Sequence, residues 1–245
     1  MILAAGLGTR LKPLTETMPK ALVPVGGKPL LEHIILKLKS AGFNEIIINI
    51  HHFGEQIIEF LNKKNNFGIK IAISDERAAL LDTGGGVRKA AWFFDKKEPF
   101  LVHNVDIFSN VDLQKLYDSH LKNNVLATLV AGERNTQRYF LFDKKNRLCA
   151  WTNIATGEIK PADLQNIDNL QKLAFAGIQI LSPTIFNLLE KVPQTKFSLT
   201  DFYIQNANNQ CIKAFNSPDF KMLDVGKIDA ISTLNQLSVI SQGND

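Results

Sequence analysis

The chain has 245 residues, of which 45% are apolar and 21% are charged, so it can bury a sizeable core like an ordinary globular protein. Its formal net charge of +4 is modest and would suit a phosphate-rich small substrate as well as a nucleic acid. The two cysteines, Cys149 and Cys211, form no CxxC pair, which argues against a disulfide framework or a zinc site and fits a reducing compartment.

The first half of the sequence alternates apolar strands with amphipathic helices. The pattern predicts strands at residues 1–5, 45–50, 69–74 and 100–104, and helices at 29–41, 55–61, 86–93 and 113–121. Such alternation indicates βαβ units, a parallel sheet and right-handed crossovers. Ligands of sheets of this kind bind at the carboxyl ends of the strands, so we expect the site there.

The second half has a different pattern. Short strands are predicted at 127–131, 139–142, 148–152 and 174–181, with a hairpin turn at 144–146, an exposed polar flap at 153–172 and a helix at 227–237. We predict one mixed α/β domain over residues 1–245, in which 1–125 mainly binds a nucleotide and 126–245 adds a substrate region. The chain start lacks the pattern of a signal peptide and no stretch approaches a membrane span, so we expect a cytoplasmic protein without membrane or nucleic-acid partners.

The most informative motif covers residues 3–15 and 18–25. Gly6 and Gly8 follow a strand and let backbone N–H groups approach an anion, while Arg10 and Lys20 offer positive charge to phosphates. Leu11 stands where a dinucleotide-binding fingerprint needs its third glycine, and no Gly-Lys-Ser/Thr follows as in a Walker A loop. The glycines alone are equally compatible with an ordinary turn that carries two surface cations.

The whole segment resembles the signature of the sugar-1-phosphate nucleotidyltransferase family: an apolar strand, Gly-x-Gly-x-Arg-Leu, Pro-Leu-Thr and then Pro-Lys-x-Leu-x-Pro-Val. Further matches to the family lie at residues 27–30, 82–86, 104–106, 175–178 and 224–226. The resemblance implies a Rossmann-like three-layer α/β/α nucleotidyltransferase fold with a small additional β subregion. It also implies an enzyme that transfers a nucleoside monophosphate from an NTP to a sugar 1-phosphate and releases pyrophosphate, with Mg²⁺ as cofactor.

The resemblance assigns roles to particular residues. Arg10 would hold the β- and γ-phosphates, and Lys20 would contact the α-phosphate or the incoming sugar phosphate. Asp106 and Asp224 would bind Mg²⁺, and the alternative for each is the N-cap of a helix. The residues implied to contact the nucleotide, with 82–86 as a base-contacting loop, are Leu3, Ala5, Gly6, Gly8, Thr9, Thr83, Gly84, Gly85 and Asn104.

The sequence departs from the family pattern in two places. Val105 replaces a usual glycine, which leaves the local backbone open, and residues 149–153 stand where other members carry a Glu-Lys-Pro sugar-contacting motif. Glu158 is a candidate sugar contact, although an exposed flap residue is the favoured interpretation, and Gly177 in the match at 175–178 is the other candidate.

The substrates follow less directly from the resemblance. The leading expectation is UTP with N-acetylmuramate 1-phosphate, and the alternative is GTP with mannose 1-phosphate. Two other classes remain open: a non-catalytic regulatory protein that binds nucleotide sugars, which the presence of all four charged site residues disfavours, and a dinucleotide-binding oxidoreductase, which the missing third glycine disfavours.

Overall fold

The structure, a computed structural model, describes residues 1–95, 97–162, 167–217 and 219–226. The strands in this part of the chain are β1 (Ile2–Leu3), β2 (Pro24–Val25), β3 (Lys28–Pro29), β4 (Glu45–Ile50), β5 (Lys70–Asp75), β6 (Phe100–Asn104), β7 (Ile107–Ser109), β8 (Ala127–Gly132), β9 (Arg138–Phe142), β10 (Leu148–Asn153), β11 (Glu158–Lys160), β12 (Gln171–Leu181), β13 (Ile212–Phe215) and β14 (Met222–Asp224). The helices are α1 (Leu30–Ser40), α2 (Gly54–Lys63), α3 (Asp82–Lys89), α4 (Leu113–Asn123), α5 (Phe186–Leu189) and α6 (Leu199–Asn206).

The chain forms two compact units. The first contains Met1–Asp82, His103–Ser109 and the segment that starts at Met222, and the second contains Thr83–Val102 and Asn110–Lys221. The predicted mixed α/β fold is confirmed, because parallel strands joined by helices make up the first unit and mainly antiparallel strands the second. The prediction of one domain over residues 1–245, with halves at 1–125 and 126–245, stays a prediction.

The first unit is built on parallel strands in the order β5-β4-β1-β6, to which β6 contributes its last two residues. β4 is buried from Ile46 to Ile50, as expected of a strand covered on both faces. Helix α1 buries the apolar face predicted from its 3.6-residue spacing. The residues of this face are Leu30, Leu31, Ile34, Ile35 and Leu38, each at most 1% exposed.

The second unit is arranged around the long strand β12. This strand pairs antiparallel with both β8 and β9; β9 continues antiparallel to β10 and β10 to β11, while β13 pairs parallel with β8. The predicted hairpin turn is confirmed: Asp143 N–H donates to Arg147 O at 2.9 Å, and Asn146 takes a φ of 59° inside the turn.

The structure corrects the prediction for residues 82–86. They form the start of α3, which begins at Asp82 rather than Gly86, so they are helical and not a loop. Gly84 and Gly85 donate their N–H groups to Phe197 O at 2.9 and 3.3 Å. A Cβ added to Gly84 would lie 2.4 Å from the Phe197 ring, so close packing against residue 197 outweighs the low helix propensity of glycine.

The predicted flap at 153–172 is also wrong in part. Glu158–Lys160 form β11, which pairs with β10 through Trp151, Thr152 and Asn153. The Thr152 hydroxyl donates to Glu158 O at 3.0 Å and fixes the turn between the two strands. Residues 163–166 of the flap and the predicted helix at 227–237 lie outside the described residues.

Candidate active site

Strands β1 and β6 end side by side in the first unit. Leu3 is in register with Asn104, and the Val105 N–H donates to Leu3 O at 3.1 Å. The glycine-rich turn and Asp106 therefore leave the same carboxyl edge of the parallel sheet, as the strand pattern predicted. Val105, which replaces the usual glycine, is 3% exposed and has a φ outside the left-handed region, so the backbone here does not require glycine.

The turn after β1 is held by short-range contacts around Gly8. Leu11 N–H and the Thr15 hydroxyl both donate to Gly8 O, at 2.8 and 2.9 Å. Gly8 has a φ of 64°, and a Cβ there would lie 2.9 Å from Cβ of Lys20 and 2.8 Å from Cγ2 of Thr15. Glycine is needed at this position because the Lys20 segment packs directly against the turn.

Gly6, the other glycine of the motif, is not packed against the rest of the protein. Gly6 is exposed, and a Cβ added to it would meet no atom within 4 Å. Thr9 and Arg10 are exposed as well, whereas Ala5 is 5% exposed. The backbone at Gly6 is thus open to a ligand.

Asp106 and Asp224 converge on one point. The short strands β7 and β14 pair antiparallel with Asp224 opposite Ile107, and the Val225 N–H donates to Asp106 O at 2.9 Å. The position that a Cβ of Gly226 would occupy lies 2.7 Å from Asp224 Oδ1 and 3.3 Å from Asp106 Oδ2. Arg10 Nη2 lies 2.8 Å from the same position, so a side chain at residue 226 would fill the space between the acidic and basic groups.

The donor set around this space fits a hard cation. Asp106 and Asp224 supply carboxylate oxygens, which Mg²⁺ prefers, and two protein ligands suffice for an ion that keeps several waters and binds substrate phosphates. No group of three or more His, Cys, Asp or Glu side chains in the described ranges could hold a metal by itself. Lys20 Nζ donates to Asp106 Oδ2, so this ammonium already balances one of the two carboxylates.

A buried polar network supports the turn, and the sequence analysis missed it. Ala4 N–H donates to Asn49 Oδ1 at 2.7 Å, and Asn49 Nδ2 donates to Glu76 Oε1 at 2.8 Å. Glu76 is fully buried, and its Oε2 accepts the Leu81 N–H at 3.2 Å. The signal in the sequence was Asn49, a polar residue within a run of isoleucines, because a buried amide needs partners.

Two other basic side chains of the first unit are shielded from solvent. Burial lowers the pKa of His103 to about 3, and its Nδ1 lies 2.7 Å from Asn104 O, so the ring is neutral at pH 7. Burial also lowers the pKa of Lys37, whose Nζ donates to Ser109 O at 2.6 Å. Both side chains contact the backbone of the Asn104–Ser109 segment, and neither belongs to the predicted set of ligand contacts.

Three predicted nucleotide contacts and both predicted sugar contacts lie in the second unit. Thr83 Oγ1 accepts the Leu199 N–H at 2.9 Å, while Gly84 and Gly85 are buried. Glu158 lies on β11 and lines a cavity of about 510 Å³, and Gly177 takes a φ of 71° at an irregularity of β12. Asn104, in contrast, ends β6 beside Leu3. The ligand contacts assigned to all these residues stay predictions.

Phosphates of a nucleotide need positive charge, bare backbone and a metal-binding pair of carboxylates, and the carboxyl edge of the first unit brings these groups together. The arrangement defines a nucleotidyltransferase. The sequence matches the nucleotidyl transferase family over residues 1–239, and the chain belongs to this family. It is therefore an enzyme of the sugar-1-phosphate nucleotidyltransferase type, as the N-terminal motif predicted.

Curated relatives agree with this assignment, and solved structures share the fold. The chain is 34% identical over 192 residues to the N-acetylmuramate alpha-1-phosphate uridylyltransferase of Neisseria meningitidis serogroup B, covering 78% of each protein. It is 31% identical over 230 residues to the mannose-1-phosphate guanyltransferase of Yarrowia lipolytica, covering 93% of this chain and 60% of that protein. The crystal structure of HddC from Yersinia pseudotuberculosis complexed with GMP-PN superposes with a TM-score of 0.77 at 24% identity, covering 96% of this chain and 97% of that one. This likeness confirms the predicted Rossmann-like nucleotidyltransferase fold.

Within the ranges that the structure describes, no helix combines the length and apolar character needed to cross a membrane.

Proposed function

We propose that this enzyme transfers UMP from UTP to N-acetylmuramate 1-phosphate, giving the UDP-sugar and pyrophosphate, and that it works in the cytoplasm. The observation that carries the choice of substrates is the 34% identity to the uridylyltransferase of Neisseria meningitidis, which extends over 78% of both chains. The choice of reaction rests on Arg10, Lys20, Asp106 and Asp224, which the first unit gathers at one edge of its sheet.

In the proposed mechanism the sugar phosphate supplies the nucleophile, and one of its oxygens attacks the α-phosphorus of UTP. The protein then has to orient the two substrates and neutralise charge. Arg10 holds the β- and γ-phosphates with its guanidinium, which suits paired phosphate oxygens. Lys20 stabilises the charge that develops on the oxygens of the α-phosphate while the pyrophosphate leaves.

Asp106 and Asp224 would hold Mg²⁺, which neutralises phosphate oxygens when it is bound. Before substrates enter, Lys20 occupies one oxygen of Asp106. When a substrate phosphate attracts the Lys20 ammonium, the Asp106 oxygen becomes available to the ion. Binding of the substrate would therefore favour binding of the ion, and binding of the ion would favour the substrate.

The backbone around Leu3, Ala5, Gly6 and Gly8 would approach the nucleotide, and Thr9 and Asn104 would border it. Gly6 supports this proposal best, because its surroundings are open on the side where a Cβ would lie. Thr83, Gly84 and Gly85 would contact the base from the first turn of α3, and Glu158 and Gly177 would contact the sugar.

GTP with mannose 1-phosphate is the second candidate pair of substrates. It is favoured by the 31% identity to the mannose-1-phosphate guanyltransferase of Yarrowia lipolytica, which covers 93% of this chain. The chain spans only 60% of that protein, whereas it spans 78% of the uridylyltransferase.

The experiment is a matrix of the four NTPs against N-acetylmuramate, N-acetylglucosamine, glucose and mannose 1-phosphates, with pyrophosphate release as the readout. A Lys20→Met variant measures the background release of pyrophosphate with each pair of substrates. We expect the highest kcat/KM for UTP with N-acetylmuramate 1-phosphate. A preference for GTP with mannose 1-phosphate would replace the proposed substrates, and absence of turnover with every pair would refute the proposed reaction.

A further inference from the structure

The second unit contains an open cavity of about 510 Å³, and Glu158 is the one lining residue that the sequence analysis named as a candidate sugar contact. Its wall is formed by the turn before β9, by β9, β10, β11 and β12, and by the start of α6. Tyr139, Phe140, Trp151 and Phe175 give it aromatic surface, and polar groups alternate with these rings. This combination is typical of a site for a small polar molecule that also has apolar C–H faces.

The charges in the cavity are not balanced. Three lining residues are positively charged, Arg134, Arg138 and Lys160, and two are negatively charged, Glu158 and Asp201. The net charge of the lining is therefore one positive charge. The two carboxylates lie near the ammonium, since Lys160 Nζ is 3.3 Å from Glu158 and 4.0 Å from Asp201. Neither guanidinium has a carboxylate within 4.0 Å among the described side chains.

Arg134 carries an unsatisfied donor into this wall. Its Nε is buried and has no hydrogen-bond partner in the part of the chain that the structure describes. The backbone around it is fixed, because the Tyr139 hydroxyl donates to Arg134 O at 3.0 Å and accepts the Thr136 N–H at 3.1 Å. A buried guanidinium N–H without a partner is costly, so an Arg134 side chain that lines the cavity with such a donor favours an anionic ligand there.

We propose that this cavity binds a carboxylate carried by the acceptor sugar, with Arg134 and Arg138 as the residues that select it. The inference rests on the proposed function and deepens it, because it assigns the choice of an acidic sugar to named side chains. A planar carboxylate matches the N–H groups of a guanidinium, and its single negative charge balances the cavity, whereas a phosphate dianion would exceed it. Trp151, whose ring already faces Lys160 Nζ at 5.3 Å, offers a flat surface to the sugar ring.

The kinetic test compares two acceptors that differ by a lactyl ether with its carboxylate, N-acetylmuramate 1-phosphate and N-acetylglucosamine 1-phosphate. Arg134→Gln and Arg138→Gln remove one guanidinium each, and Arg147→Gln, at an exposed position away from the cavity, is the matched control. We expect each cavity variant to raise the KM for the carboxylated acceptor about tenfold or more, the scale of a charge-assisted hydrogen bond. The KM for UTP, and the KM for the neutral acceptor, should stay within about twofold.

A binding test is independent of turnover. The chain has two tryptophans, and Trp92 is 66% exposed and away from the cavity, so Trp92→Phe leaves Trp151 as a single fluorescent reporter in the cavity wall. Titration with free N-acetylmuramate, which has a carboxylate and no phosphate, should change the Trp151 emission, and N-acetylglucosamine at the same concentration should not. Arg138→Gln in this background should weaken the response about tenfold; because Arg138 is exposed, this variant serves if Arg134→Gln does not fold.

The outcomes separate the inference from the proposed function. Equal losses with both acceptors would mean that the guanidiniums contact the phosphate, and unchanged kinetics would mean that they do not contact the acceptor; either result overturns the inference while the reaction stands. A wild type that uses only neutral acceptors would overturn both the substrate choice and the inference. Fluorescence binding of N-acetylmuramate by a protein without turnover would support the cavity and refute the reaction.

Discussion

Lys20 and Asp106 form an ion pair in the first unit, and each side chain is 12% exposed. Neither sequence spacing nor chain order indicates this contact, since the two residues are 86 positions apart. The ammonium of Lys20 and a bound cation would both be attracted to the same carboxylate, so the state of this pair should depend on metal and on phosphate. The first two predictions follow from this arrangement.

Lys20→Met should reduce kcat by on the order of a hundredfold or more, the effect of removing one electrostatic stabiliser of the transition state. Lys12→Met is the matched control, because Lys12 lies in the same segment, is 61% exposed and, among the described side chains, forms an ion pair with Glu16 alone. Steady-state kinetics of both variants give kcat, and a thermal melt shows whether each variant is folded. Near-normal turnover in a folded Lys20→Met enzyme would remove Lys20 from the mechanism.

Asp106→Asn and Asp224→Asn should each raise the Mg²⁺ concentration needed for half-maximal activity. If both carboxylates hold one ion, the double variant should be clearly less than additive, because the first change already empties the site. Asparagine keeps the shape of aspartate, so the comparison isolates charge from packing. The measurement is a Mg²⁺ titration of pyrophosphate release for the wild type and the three variants. An unchanged requirement in Asp224→Asn would assign the metal to Asp106 and substrate oxygens alone.

Gly6→Ala should leave the fold unchanged and raise the KM for NTP, because a methyl group there has no protein neighbour within 4 Å but would stand in the path of a nucleotide. Gly84→Ala should lower the melting temperature, because its Cβ would lie 2.9 Å from Phe197 O as well as against the ring. Thermal melts together with KM values for NTP and sugar phosphate separate the two effects. A Gly6→Ala enzyme with wild-type KM would show that the nucleotide does not approach this part of the backbone.

Glu76→Gln should destabilise the protein by about 1–3 kcal/mol, because Asn49 and Leu81 donate to different oxygens of the carboxylate and one of these becomes an NH2 group in glutamine. The KM for NTP should rise as well, since Asn49 also holds the Ala4 N–H at the start of the turn. Glu59→Gln, on the exposed face of α2, is the control. The free energy of unfolding comes from denaturant titration, and equal values for the two variants would contradict a structural role of Glu76.

Stability should fall as the pH is lowered from about 6.5 to about 4, and His120 should contribute to this loss. Burial lowers the pKa of His120 to about 4, and the ring lies 2.9 Å from Thr128 Oγ1 and 3.0 Å from Ser182 Oγ. Between these pH values the unfolded chain binds a proton that the folded ring does not, which favours unfolding. Melting temperatures between pH 8 and 4.5 should therefore depend less on pH in His120→Gln than in the wild type, and parallel curves would refute the contribution.

Local periodicity was sufficient for most elements. The strands Glu45–Ile50 and Phe100–Asn104 have the predicted bounds, and α1 differs from its prediction by one residue at each end. These segments are buried in the way their patterns indicate, so pattern and packing agree. The prediction failed where a glycine run was interpreted as a loop: the helix at 82–89 depends on Phe197, which is more than a hundred residues away in the sequence.

For the active-site residues, too, the sequence identified the residues and the tertiary structure determined how they come together. Residue types and order along the chain were enough to single out Arg10, Lys20, Asp106 and Asp224, because phosphate chemistry needs cations and a hard metal needs carboxylates. Asp224 meets Asp106 beside Gly226 because β7 pairs with β14, and this pairing joins segments far apart in the sequence. The sequence by itself determined the family, the reaction type and most local elements, since these depend on side-chain chemistry and short-range periodicity. Only the tertiary structure decided that Glu76 and Asn49 support the turn and that Arg134, Arg138 and Lys160 line one cavity, because such contacts form only when distant strands pack together.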